Sequence, residues 1–280
     1  MDASEVVKPV KSAVINPHNS DANLEKIIIF LCDTPKPAVY SKHGSYHEIF
    51  SKLFQKSVTA DPTIPPILLE SFDVVDGEIP SRSVIKDAKG ILLTGSACSA
   101  VEDKPWIKRL KNALSSTGYV DENIRLLGIC FGHQLIAEAF GGKVVKNQNG
   151  WEFGVYQLSL NEQGGQIFNR NDTKTITIQE FHQDCVEKLP LNFISVASTE
   201  KTPNQIMLKR CSGDENQIQI LGFQGHPEFL TDMINDMLDS VLTRHTLDAE
   251  FVEESRKRAN GEHDGVWLGQ FCLRMLLGLL

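Results

Sequence analysis

The feature that most constrains this chain is a set of short apolar runs that do not alternate, residues 26–32 (KIIIFLC), 90–94 (GILLT) and 125–129, with 67–75 reading as a further strand among them. A strand with one wet face alternates polar and apolar residues, so an unbroken run has no face to offer water. Such runs belong to parallel sheets whose crossover helices cover both sides. The segments between them fit that scheme. Ser45 reads as a helix cap ahead of Ile49, Phe50, Leu53 and Phe54, which repeat at helical spacing. Trp106, Ile107, Leu110 and Leu114 form a second apolar stripe, and Leu135, Ile136, Ala139 and Phe140 a third.

After Gly141-Gly142 the rhythm changes. Residues 154–160, 175–179, 193–198, 205–209 and 217–224 read as strands in near succession, which fits antiparallel strands added to one edge of the sheet. The stretches 33–44 and 161–174 read as loops. From Leu230 onward the pattern is helical, ending in a stripe of Trp267, Phe271, Met275 and Leu276. The expectation is a doubly wound, mainly parallel α/β sheet with antiparallel edge strands. Residues 1–24 would be a mobile tail, 25–243 the main domain and 244–280 a helical extension packed on it.

Composition narrows the function. Of 280 residues, 28 are basic and 36 acidic, a net charge of −8 that argues against nucleic acid or an anionic membrane surface as partner. The first two dozen residues lack an apolar signal segment, and the run 273–280 is too short to span a bilayer. The six cysteines are scattered, with no CxxC spacing for zinc or redox work. No phosphate-binding P-loop motif appears. The expectations are a cytoplasmic protein with reduced thiols, no cofactor and no metal.

Chemistry concentrates at Cys130. It stands where the run 125–129 meets a helix, with Gly128 and Gly132 two residues to either side. This is the thiol counterpart of the serine nucleophile elbow. The glycines suit a sharp strand-to-helix turn packed against other backbone. The helix start brings unpaired N–H groups and a positive dipole end, a setting that favours thiolate chemistry. A thiol nucleophile needs an imidazole, and the imidazole an orienting group. His226, in Gly225-His226-Pro227-Glu228, follows a strand directly. Pro227 pushes His226 into an extended conformation, so Glu228 can lie beside its ring.

The segments GICFGHQLIAEAFGGKVV and GFQGHPEF resemble the two signatures of the class I, triad-type glutamine amidotransferases. Gly90 to Ser96 resembles the family's oxyanion strand and loop, Trp151-Glu152-Phe153-Gly154 the segment beside its glutamine pocket, and Phe181-His182-Gln183-Asp184 its SHxD-like loop. The likeness spans about residues 26–242. It looks nearest the stand-alone branch of plant γ-glutamyl peptidases and fungal amidotransferase-like proteins. The resemblance implies a flavodoxin-like fold, a triad of Cys130, His226 and Glu228, and an oxyanion hole from the N–H groups of Phe131 and Gly95. Two departures stand out: Thr94-Gly95-Ser96 replaces the usual Gly-Gly loop, and Gly225 stands where phenylalanine is common.

For the substrate, Gln134 either faces the mouth beside Cys130 or is an ordinary surface glutamine. Phe153 and Gly154 would offer backbone to the amino-acid end. Asp184 either meets a substrate ammonium or caps a turn. Three functions remain open on the sequence: a self-contained hydrolase of γ-glutamyl amides or peptides, a glutaminase feeding ammonia to a separate synthetase partner, and a non-catalytic binding protein on the same fold.

Overall fold

The structure, a computed structural model, describes residues 7–16, 23–77, 79–116, 124–243 and 247–280. In chain order the elements are β1 (Lys11–Ile15), β2 (Glu25–Leu31), α1 (Pro37–His43), α2 (Tyr46–Ala60), β3 (Ile67–Asp73), α3 (Arg82–Ile85), β4 (Gly90–Leu93), α4 (Pro105–Ser115) and β5 (Arg125–Ile129). There follow α5 (Phe131–Ala139), β6 (Lys143–Lys146), β7 (Glu152–Leu160), α6 (Glu162–Ile167), β8 (Thr175–His182), β9 (Asp184–Lys188), β10 (Ile194–Ser198), β11 (Ile206–Cys211) and β12 (Asp214–Phe223). Helices α7 (Thr231–Thr243), α8 (Ala249–Ala259) and α9 (Gly265–Leu277) close the chain.

The main sheet runs β1-β3-β2-β4-β5-β12-β11-β10-β7-β8. Its centre, β3-β2-β4-β5-β12, is parallel throughout, in the strand order of a flavodoxin-like sheet. The continuous apolar runs divide by parity between two cores. Ile27, Ile29, Leu92, Leu127 and Ile129 face the side covered by α2 and α9. Ile28, Phe30, Ile91, Leu93 and Leu126 face the side of α4 and α5, where Trp106, Leu110 and Phe131 close the layer. Helix α2 starts as its sequence suggests. Ser45 Oγ accepts from His47 N, and Glu48 Oε2 accepts from Ser45 N at 2.7 Å. No helix among the described residues is long and apolar enough to cross a membrane.

Several expectations need correction. Antiparallel strands lie on both edges, because residues 11–15 of the stretch read as a tail form β1 against β3. Five residues with little alternation carry no strand signal; β1 is held by β3, and Lys11 pairs with Glu48 of α2. Part of the expected loop 33–44 is α1, opened by Pro37 and tied to α7 through Lys42–Asp236 and His43–Asp232, both 2.8 Å. The short α6, capped by Asn161, interrupts the expected loop 161–174. Strands β6 and β9 pair in a separate two-stranded sheet near α5.

Candidate active site

Ligand sites of open α/β sheets lie beyond the carboxyl ends of the parallel strands, and the chemistry gathers there. Cys130 follows β5 directly, with φ 50° and ψ −101°, and its N–H donates to Phe223 O of β12 at 2.8 Å. The flanking glycines are required by contact. A Cβ on Gly128 would lie 2.5 Å from Gly132 C, and one on Gly132 2.5 Å from Leu93 O. Helix and strands close on each other only because both side chains are absent.

His226 follows β12. Its N–H donates to Gln179 O at 2.7 Å, an isolated bridge to β8 that holds it extended. The ring stacks on Phe229, with centroids 3.9 Å apart and planes within 5°. Its Nδ1 lies 2.8 Å from Glu228 Oε1, and the Cys130 thiol is its other side-chain hydrogen-bond partner. Burial alone would lower the imidazole pKa. The Glu228 carboxylate and the Cys130 sulfur outweigh burial and push it up to about 10. The imidazolium is thus the resident form at neutral pH. Thiol, imidazole and carboxylate are all buried, and Cys130 and His226 line a common cleft.

The expected oxyanion donors are Phe131, next to Cys130 in the chain, and Gly95, on a neighbouring loop. Phe131 is the first residue of α5, where backbone N–H groups lack intrahelical acceptors. A Cβ on Gly95 would lie 3.0 Å from His226 Cε1 and 3.8 Å from Cys130 Cβ, so the 95–97 loop passes close by. Asp33, at the end of β2, holds that loop by accepting from Ala97 N at 2.7 Å and Ser96 Oγ at 3.3 Å.

A wider part of the cleft, about 510 Å³, is walled by Gln134, Phe153 and Asp184 as well as Cys130. Gln134 is buried, which removes the surface alternative. Its Nε2 donates to Asp184 O at 2.8 Å and to Gln224 Oε1 at 3.1 Å. Asp184 presents its carboxylate at the cleft, where Ser99 Oγ donates to it. Phe153 stacks on Phe181 at 4.2 Å, but its carbonyl accepts from Arg258 Nε. Gly154 is not brought to the cleft. Its φ is 90°, and a Cβ there would lie 2.7 Å from Ser255 O, so it serves the close packing of α8 on β7.

Two features escaped the sequence reading. Gln224 Nε2 lies 3.6 Å from Cys130 Sγ, linking the sulfur to Gln134. The alternation of Gln224 with His226 at a strand end was the available signal. Behind the site lies a buried cluster in which His182 Nε2 is 3.1 Å from Glu152 Oε2 and 3.4 Å from Glu180 Oε2. Burial, reinforced by Glu152, drives the Glu180 pKa well upward. Of the remaining thiols, Cys98 lines the cleft and accepts from Lys104 Nζ at 3.0 Å, and all six cysteines are free.

A parallel sheet with a thiol on a strand–helix elbow and an imidazole–carboxylate pair beyond a neighbouring strand end defines an α/β-fold protein whose candidate groups gather at the carboxyl ends of its strands. Residues 70–240 match the family described as glutamine amidotransferase class-I, and the chain belongs to that family. It is similar to a glutamine amidotransferase-like protein of Schizosaccharomyces pombe, 31% identical over 253 residues that cover 90% of this chain and 98% of that one. It is also similar to gamma-glutamyl peptidase 4 of Arabidopsis thaliana, 30% identical, covering 84% and 88% respectively. A glutamine amidotransferase structure from Thermotoga maritima shares the fold with a TM-score of 0.60 at 18% identity, covering 91% of this chain and 97% of that one. The protein is a hydrolytic enzyme of the amidotransferase family.

Proposed function

We propose that the protein hydrolyses the side-chain amide of γ-glutamyl compounds, glutamine or γ-glutamyl peptides, through a thioester on Cys130. The observation that carries this reading is the buried His226 ring held between the Cys130 thiol and Glu228 Oε1. With the imidazolium resident, the sulfur adds to the γ-carbonyl carbon as thiolate. The resulting oxyanion rests on the N–H groups of Phe131 and Gly95. Collapse breaks the C–N bond, and the departing amine takes the His226 proton. Neutral His226 then removes a proton from water, the hydroxide adds to the thioester, and the second collapse releases glutamate and restores the thiolate–imidazolium pair. Glu228 holds the ring by Nδ1 and balances its charge throughout. Asp184 and the Phe153–Phe181 wall would receive the amino-acid end.

The test is turnover of glutamine and γ-glutamyl dipeptides by the purified chain, with Cys130→Ala beside it. An electrophilic glutamine analogue should add its mass to Cys130 and nowhere else. Wild-type hydrolysis by Cys130→Ala would refute the mechanism. Activity that appears only when a synthetase is added would replace the self-contained hydrolase with a partnered glutaminase.

A further inference from the structure

A second cavity, about 550 Å³, lies behind the candidate site, between α2, the start of α7 and the start of α9. That volume suits a small molecule. Its walls are largely apolar, including Ile49, Leu53, Met233 and the Trp267 ring. The segment 226–230 separates it from the cleft. His226 and Phe229 line the cleft, whereas Pro227, Glu228 and Leu230 line the second cavity. Glu228 is therefore shared: Oε1 holds His226, while Oε2 is buried with no hydrogen-bond partner among the described residues.

The charges around this cavity are uneven. Lys52 and Lys56 lie one turn apart on α2 and both line it. Lys52 Nζ donates only to the carbonyl of His43, and neither lysine has an ion-pair partner among the described residues. The nearby acids are already engaged. Asp264 accepts from Thr177 N, Thr177 Oγ1 and Arg170, and Glu228 is committed to His226. The first turn of α9 adds its positive dipole end. An apolar chamber with two unpaired ammonium groups suits an apolar body carrying one negative group.

The shared wall is also tightly clamped. A Cβ on Gly265, the first residue of α9, would lie 2.6 Å from Pro227 O. Filling the cavity would press on α9 and on the segment that carries His226 and Glu228. We propose that this cavity binds a small amphipathic carboxylate and that its occupancy alters the His226–Glu228 pair through the common wall. The regulatory half rests on the proposed hydrolysis; the binding half does not.

The test reads binding first, in the full chain carrying Cys130→Ala. Phenylbutyrate is titrated against its uncharged amide, followed by calorimetry and by tryptophan fluorescence, with Trp267→Phe as the blank. The acid should bind saturably. Binding should weaken about fivefold or more for the amide and in Lys52→Glu/Lys56→Glu, and should vanish in Val266→Trp, which fills the mouth. In the wild-type protein, saturating phenylbutyrate should change kcat for glutamine about twofold or more, with no change in Val266→Trp. No saturable binding at millimolar concentration, equal binding of acid and amide, or binding that survives Val266→Trp overturns the site. Binding without any effect on turnover overturns the regulation. A protein that hydrolyses no γ-glutamyl substrate removes the proposed reaction and leaves the binding arm to decide the site alone.

Discussion

Replacing Gly132 with alanine tests whether the contact beneath the elbow is what places Cys130. In an ordinary helix interior that change would be worth roughly 1 kcal/mol in favour of alanine. Here the new Cβ would meet Leu93 O at 2.5 Å and Leu93 Cβ at 2.7 Å, where ordinary contact begins at 3.4 Å. Neither atom can swing aside, so the first turn of α5 must withdraw from β4 by roughly 0.7–0.9 Å. Overpacking of this kind costs about 1–3 kcal/mol, which the helix gain partly offsets. A net loss of up to about 2 kcal/mol lowers Tm by up to roughly 8 °C. Activity should suffer far more. Cys130 moves with the turn while His226 stays on β12, and a misplacement near 1 Å costs about 100-fold in turnover. The assay is kcat for glutamine beside a thermal melt, with Gly141→Ala as reference. Gly141, unlike Gly132, has an unusual φ, 89°, but nothing lies within 4 Å of an added Cβ, so it should lose stability and keep its turnover. Wild-type kcat in Gly132→Ala, or equal kcat losses in the two variants, would refute the argument.

Four further outcomes follow from the buried charges and the packing. Glu180→Gln should leave urea stability nearly unchanged, because burial raises that carboxyl's pKa and so favours the neutral form that the amide mimics. Glu152→Gln should cost about 3 kcal/mol, because His182, Thr202 and Thr199 hold this carboxylate below its usual pKa against the effect of burial. His226, raised from 6.5 to about 10 by Glu228 and Cys130 despite its burial, contributes stability that is complete below pH 6.5 and is lost as pH rises through about 10. Stability profiles of wild type and His226→Gln should converge over that window, and parallel profiles would contradict the pairing. Gly154→Ala should lower Tm through its positive φ and the clash with α8, with KM for glutamine unchanged in the protein that remains folded.

Much of this was legible because burial on two faces leaves short continuous apolar runs, and their length and flanking turn residues mark them as strands. The runs 26–32, 90–94 and 125–129 announce parallel strands, and the Gly128–Gly132 pair around Cys130 announces a tight turn. What stayed hidden depends on partners distant in the chain. The strand Lys11–Ile15 exists because β3 has a free edge and Glu48 meets Lys11. Gln224 reads as one more polar residue until Cys130 and Gln134 come round to meet it. Gly154 sits in a motif segment that looks like substrate wall, yet its neighbour is Ser255, about a hundred residues further on. Local pattern reports what a segment needs, and only the assembled sheet reports who supplies it.

The backbone at residue 130 keeps a side chain at φ 50° where glycine would rest easily. Such a conformation costs on the order of 1–3 kcal/mol, which glycine would spare the fold. A sulfur standing at this corner weakens the native state, and strain of that kind gathers where a protein acts on other molecules.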